Sequence, residues 1–212
     1  MTRTAPFLAT LSMFIAAGAA AETPAPAAFT VISPIFGQLV MFSMPRNFAA
    51  IGENTNGPSY IREAVPKGET AERWTEMITV TGAKGLVSNP KVSPEAFAGS
   101  IVRGFKSACP DSFAAKALGP AKFGEHDAFV AIAGCGRVEQ APDKHSETAL
   151  VIAVKGSADY YTLQWAERTP AAATPAIDDG KWQQRLRLLQ PIRLCAIVAG
   201  ETAPYPSCVG KN

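Results

Sequence analysis

The sequence predicts an α+β fold in which helices pack on an antiparallel sheet. Three observations carry that expectation. Strand-length runs of apolar or alternating residues occur in both halves of the chain, separated by turn formers. Helical periodicity appears between them and again near the C terminus. The resulting order is two strands, two helices, three strands and one helix. Neighbouring strands are joined by links too short for a parallel crossover. The 212 residues suit a single domain, and a 47% hydrophobic content excludes disorder as the whole answer. A formal charge of +2 without a Lys/Arg run argues against nucleic acid as the main partner.

Residues 1–21 predict a cleaved signal peptide. Arg3 supplies the positive start, Ala5 to Ala17 a short apolar stretch, and Ala19-Ala20-Ala21 the small residues before Glu22. The run is too short and too interrupted, at Pro6, Thr10, Ser12 and Gly18, for a membrane span of about 20 residues. No later segment is expected to cross a bilayer, and no Cys lies near the junction to carry a lipid. The mature chain is therefore expected in a periplasm or outside the cell.

Residues 22–34 then read as a flexible Pro/Ala-rich linker, and 35–212 as the single domain. Gln38 to Met44 and Ser59 to Val65 predict two strands of an N-terminal hairpin around Asn54-Thr55-Asn56-Gly57-Pro58. Thr70 predicts the cap of a first helix, with Trp74, Met77, Ile78 and Thr81 at i, i+3, i+4 and i+7. Ser93 and Pro94 start a second helix, carrying Phe97, Ile101, Phe105 and Ala108 and ending at Cys109-Pro110. Lys122 to Cys135, Glu147 to Lys155 and Asp159 to Arg168 predict a three-stranded meander; Gly156-Ser157-Ala158 links its last two strands. Asp178 or Asp179 caps a final helix with Trp182, Leu186 and Leu189 inward, stopped by Pro191.

Export makes the cysteines readable. Cys109, Cys135, Cys195 and Cys208 lack the close spacing of a zinc site or redox motif, and an oxidising compartment favours disulfides. Of the three possible pairings, 109–135 and 195–208 each close a short local loop. The first would clamp the second helix to the sheet, and the second would hold a tail with few large apolar residues.

The run YIREAVPKGETAERWTEMITV, with VPKGET leading into RWTEM, and the later ADYYTLQWAER resemble an uncharacterised family of exported proteobacterial proteins. In element order the chain is also similar to the PsbP-like α+β sandwich. The resemblance implies a fold and brings no active-site residue to carry over.

Candidate chemistry is sparse. Arg73, Trp74 and Glu76 on the expected first helix, with Tyr60 on the hairpin, form a possible binding surface, with Glu63 nearby. The competing reading is an amphipathic helix with an exposed i, i+3 ion pair. His126 and Asp127 are adjacent on a strand and point to opposite faces, which defeats a Ser-His-Asp arrangement. His145 sits in the polar stretch Gln140 to Ser146, expected as an exposed turn, and a metal shared with His126 would need Asp143 or Glu147 as well. No catalytic, cofactor-binding or metal-binding residue is assigned, and no cofactor is expected. The leading expectation is a non-enzymatic binding or accessory protein of the envelope or medium, with an unknown protein or small-molecule partner. The alternative is a small periplasmic hydrolase using an acidic residue or a histidine. Intact-mass measurement of the exported protein should give a chain beginning at Glu22 or within a few residues of it; full-length chain in the membrane fraction would contradict the signal-peptide reading.

Overall fold

The computed structural model describes Met1 and residues 28–139, 141 and 143–210. Apart from Met1, the expected signal peptide and the first part of the expected linker lie outside these residues. In chain order the elements are strands β1 (Ala28–Ile35), β2 (Gln38–Pro45), β3 (Phe48–Asn56), β4 (Ser59–Pro66) and β5 (Glu76–Ala83), then helix α1 (Pro94–Ala108). Strands β6 (Phe113–Phe123), β7 (His126–Cys135), β8 (His145–Lys155) and β9 (Tyr160–Pro170) follow. Helix α2 (Asp179–Leu189), strand β10 (Arg193–Ala196) and a single turn of helix, α3 (Pro206–Val209), complete the chain.

The strands form two antiparallel sheets. The small one has the order β1-β2-β10 and the large one β3-β4-β5-β9-β8-β7-β6. Their facing sides share one core, in which Val31, Ile35, Val40 and Phe42 of the small sheet meet Ile78, Leu150, Ile152, Leu163 and Trp165 of the large one. α2 completes that inner layer through Trp182 and Leu189, both fully buried. α1 lies on the outer face over β6, β7 and β8. There Ala149, Val151 and Ala153 offer a low apolar surface on which Ala98 can approach closely. The α+β class is thus correct, and the sheet is larger and differently wired than expected.

Several expectations change. The linker expected as far as residue 34 is already strand from Ala28, because Val31, Ser33 and Ile35 alternate into the core. The expected hairpin partners belong to different sheets: β2 pairs with β1 and β10, and β4 pairs with β3 and β5. β3 was hidden because its second half, Gly52 to Asn56, is exposed and carries no apolar pattern. The expected first helix is instead the strand β5. Its apolar residues fit either period, and the β-branched run Ile78-Thr79-Val80-Thr81 favours the extended chain once β4 and β9 offer partners on both sides. One central helix remains, not two. The run Lys122 to Cys135 is the end of one strand and all of the next, turned at Gly124 with φ 62°. α1 and α2 form as expected, with the Ser93 hydroxyl accepting from Ala96 N–H and Asp178 from Gly180 N–H. Both disulfides also form as expected, Cys109–Cys135 and Cys195–Cys208, with Cα atoms 5.7 and 5.6 Å apart.

The sheets are joined at one end by polar contacts between turns. Asp159, only 3% exposed, accepts from Gly37 N–H of the β1–β2 turn (3.1 Å) and from Gly85 N–H after β5 (2.7 Å). The Tyr161 hydroxyl lies 3.2 Å from the same carboxylate, which with burial pushes the phenol pKa well up, burial being the larger cause. Gln38 returns the contact, its Oε1 accepting from Ser157 N–H at 2.8 Å. Close approach is possible because β5 has Gly82 there: a Cβ would stand 2.7 Å from Ile35 Cγ2. Asp159→Ala would orphan two backbone donors, so urea unfolding should show a loss of about 3 kcal/mol or more, with Asp159→Asn losing less. An unchanged midpoint for Asp159→Ala would remove Asp159 from this role.

Candidate functional site

The large sheet sorts the candidate residues onto two faces. On β4, Tyr60, Arg62 and Ala64 point inward, and Ile61, Glu63 and Val65 point outward. On β5, Glu76, Ile78 and Val80 point inward, and Met77, Thr79 and Thr81 outward.

The four residues expected to share a binding surface therefore do not do so. Tyr60 is buried on the inner face, donating from its hydroxyl to Glu53 Oε1 at 2.9 Å. Burial first, and then that carboxylate, pushes its phenol pKa up. Trp74 is buried on the outer face with Val65 and Met77, under the Arg168 guanidinium, 3.7 Å from the ring centroid. Arg73 is exposed, and its backbone N–H closes a tight turn back to Thr70. Glu76 belongs to an inner-face ionic cluster. The expectation failed because it assumed a helix; Arg73 and Trp74 lie in the turn before β5, which carries Trp74 to the outer face, while Tyr60 and Glu76 point inward.

That ionic cluster follows from the strand register. Glu76 lies directly opposite Glu167, a pairing of like charges that would be unfavourable alone. α2 resolves it. Arg185 Nε donates to Glu167 Oε1 at 2.7 Å, and its Nη2 to Glu76 Oε1 at 3.3 Å. Lys181, one turn earlier, pairs with the other Glu167 oxygen. Trp165 Nε1 donates to Glu76 at 2.8 Å, and the Arg185 guanidinium stacks 4.5 Å from the Trp165 ring centroid. Two carboxylates and two cations balance, and the chemical work of the cluster is to dock α2.

Across the strand, Arg168 points the other way and pairs with Glu147 at 3.1 Å. His145 stands beside that pair, its Nε2 3.6 Å from Glu147. His145 is buried at the start of β8, not in an exposed turn as expected, with its Nδ1 2.7 Å from the Asp143 carbonyl. His126, on the inner side at the far end of the sheet, meets the Lys155 carbonyl through Nδ1 at 3.1 Å, while Asp127 turns outward to Lys122 at 3.4 Å. Among the described residues, no group of three or more His, Cys, Asp or Glu is placed to hold a metal ion.

What the sequence reading missed is the uncovered half of the outer face. Beyond α1, β8 gives way to β9, β5, β4 and β3, and the apolar outer residues give way to Thr162, Gln164, Thr81, Thr79, Glu63 and Asn54. Thr81 and Thr162 share a hydroxyl hydrogen bond of 2.6 Å, and Gln164 Nε2 donates to Thr162 at 3.2 Å. Phe97 of α1 forms one wall, held edge-on to Tyr160 at 5.3 Å, and the Tyr160 hydroxyl ties down the approach to α1 through the Val92 carbonyl (2.7 Å). Phe97, Asn54 and Asn56 of β3, Ser59 and Ile61 of β4 and Thr81 of β5 bound a trough of about 430 Å³, in which Ile61 is 39% exposed; Thr162 is buried beside it, under Thr81. The signal lay in the outward positions of Asn54, Ile61 and Thr81, which could be assigned to one face only once the strand register was known.

No family model and no curated protein matches this sequence. Among solved structures, the Saccharomyces cerevisiae Ran-binding protein Mog1p is similar at a TM-score of 0.42 and 10% identity, over 78% of this chain and 87% of that one. LpqN of Mycobacterium tuberculosis, described as involved in cell envelope biogenesis, is similar at a TM-score of 0.36 and 8% identity, over 81% and 91% of the two chains. At these scores neither likeness says anything about activity, and the α+β class stands on the chain's own strands and helices. No helix among the described residues is long and apolar enough to cross a membrane.

The ionic cluster and the exposed turn give contrasting substitutions. Arg185→Ala leaves the facing carboxylates without their bridge and should cost about 2 kcal/mol in denaturant unfolding, less than a fully buried pair because the side chain is 21% exposed. Arg73→Ala should change stability by no more than about 0.5 kcal/mol. Equal effects would mean that the cluster does not dock α2.

Proposed function

We propose that this is an exported binding or accessory protein of the cell envelope or medium, and that the trough beside α1 is its ligand site. The half-open outer face carries this reading. α1 packs mainly over β6 to β8, and the trough beyond it presents the hydroxyls of Ser59 and Thr81 and the amides of Asn54 and Asn56 above a complete sheet. Such a floor offers neutral donors and acceptors, and Phe97 and Ile61 add apolar contact at its side. The matching ligand is uncharged and rich in hydroxyl groups, such as an oligosaccharide. Export is supported by two disulfides, which persist in oxidising compartments.

Binding is favoured over hydrolysis by the placement of the acidic and histidine candidates. Glu63 faces outward, Glu76 faces inward within its ionic cluster, and His126 lies at the far end of the inner side. A general acid and base must reach one substrate together. Membership of the exported proteobacterial family rests on the VPKGET and RWTEM runs, and kinship with PsbP-like proteins on the two-layer arrangement of sheets and helices.

A glycan array probed with the disulfide-intact protein tests the site. Bound saccharides should lose affinity several-fold in Asn54→Leu, the equivalent of about 1 kcal/mol for a lost hydrogen bond. Ile61→Arg should weaken them further by crowding the trough, and His126→Ala should leave binding unchanged. Absence of saccharide binding, or binding indifferent to Asn54 and Ile61, would overturn the assignment.

A further inference from the structure

The two sheets have four edges, and three carry devices that discourage strand addition. β1 has Pro34. β3 is bulged between Ala50 and Gly52 and carries Glu53. β6 is bulged between Ala117 and Gly119 and carries Pro120, Lys116 and Lys122. Bulges, prolines and lysines are the usual means of keeping an edge from pairing. β10 has none of these beyond Arg193 at its start. Among the described residues it pairs with β2 alone, and the chain continues past it through Ile197 and Val198, each 48% exposed.

This edge also lines a cleft. Arg193, Leu194, Cys195 and Ala196 bound one side of a space of about 600 Å³, and the turn from Phe123 to His126 bounds the other. Alternate side chains of a strand point to opposite faces. A cleft that four consecutive residues line therefore runs along the strand's edge, where the N–H and C=O groups not used by β2 emerge. Among the described residues, those outward groups make no backbone hydrogen bond to another element. The Cys195–Cys208 disulfide anchors β10, so the edge is fixed in place before any partner arrives.

We infer that β10 is a docking edge for an extended peptide segment of a partner protein, which adds as a fourth strand to the small sheet. The cleft selects this occupant. The Phe123–His126 turn bounds its far side, so an occupant enters between two walls, which suits a single extended chain better than the sheet edge of a second folded copy. Leu194 and Phe123 are buried toward the core, so the segment's inward side chains are apolar. Arg193, Glu125 and His126 stand at the rim, so its outward side chains are polar. From Arg193 to Ile197 the edge is about 17 Å long, matching some five residues without internal proline, before the Val198 carbonyl turns to accept from Glu201 N–H. The site lies between the sheets, remote from the outer-face trough, and stands or falls separately from it.

A phage-displayed library of linear twelve-residue peptides, selected on the disulfide-intact chain, tests this. Enriched peptides should alternate apolar and polar residues, and a synthetic copy should slow amide hydrogen exchange within Arg193 to Ile197. Ile197 lies beyond the last residue paired with β2, so Ile197→Pro should weaken peptide binding at least tenfold while leaving the unfolding midpoint unchanged. Val198→Lys should also weaken it and decides the matter if the proline variant is unstable. The proposal is overturned if no peptide is enriched, if protection falls on another edge, or if the folded variants bind as tightly as the parent.

Discussion

A buried carboxylate at the end of the sandwich sets the relation between the two sheets. Asp159 sits in the β8–β9 turn of the large sheet and holds backbone donors from the β1–β2 turn and from the end of β5. A buried charge without partners would be strongly unfavourable, so the three turns must meet for the carboxylate to be satisfied. Gln38 and Ser157 repeat the contact in the opposite direction. These polar bonds have direction and length. The apolar core between the sheets, which is tolerant of sliding, acquires a unique register from them.

β9 carries much of the remaining organisation. Its consecutive residues Glu167 and Arg168 face opposite sides, and each seeds an ionic cluster completed from other parts of the chain. On the inner side Arg185 and Lys181 bring α2 down over Trp165, and on the outer side Arg168 covers Trp74. The same strand supplies the buried Thr162, whose hydroxyl bonds that of Thr81 in the trough. The stability of the sheet's centre and the chemistry of its open face therefore come from one alternating segment, Asp159 to Arg168.

The uncovered regions have different physical origins. The outer trough is open because α1 is only 15 residues long and small alanines draw it over β8, leaving β3 to β5 unroofed. Hydroxyl and amide side chains make that half compatible with water. The β10 edge is open because the small sheet ends after three strands, and the chain leaves it through a disulfide-closed loop. One opening presents side chains and the other presents backbone, so they suit different kinds of partner.

Much of the fold was legible in the sequence. The caps and periodicity of α1 and α2, the strands β8 and β9 with their short link, and both disulfides depend on neighbours within a few residues or on the pairing of nearby cysteines. The sequence could not distinguish helix from strand over Trp74 to Thr81, where one set of apolar residues fits both periods and only the flanking strands β4 and β9 decide. It also hid β3 and most of β6, edge strands whose exposed residues carry no hydrophobic signal. The binding surface expected at Tyr60, Arg73, Trp74 and Glu76 dissolved as well, because Arg73 and Trp74 fall in the turn before β5, which carries Trp74 to the outer face, while Tyr60 and Glu76 point inward. Local sequence determined what repeats and caps locally. Strand order, register and the two open sites were decided by the tertiary structure, because hydrogen bonds between distant strands choose which face each side chain occupies.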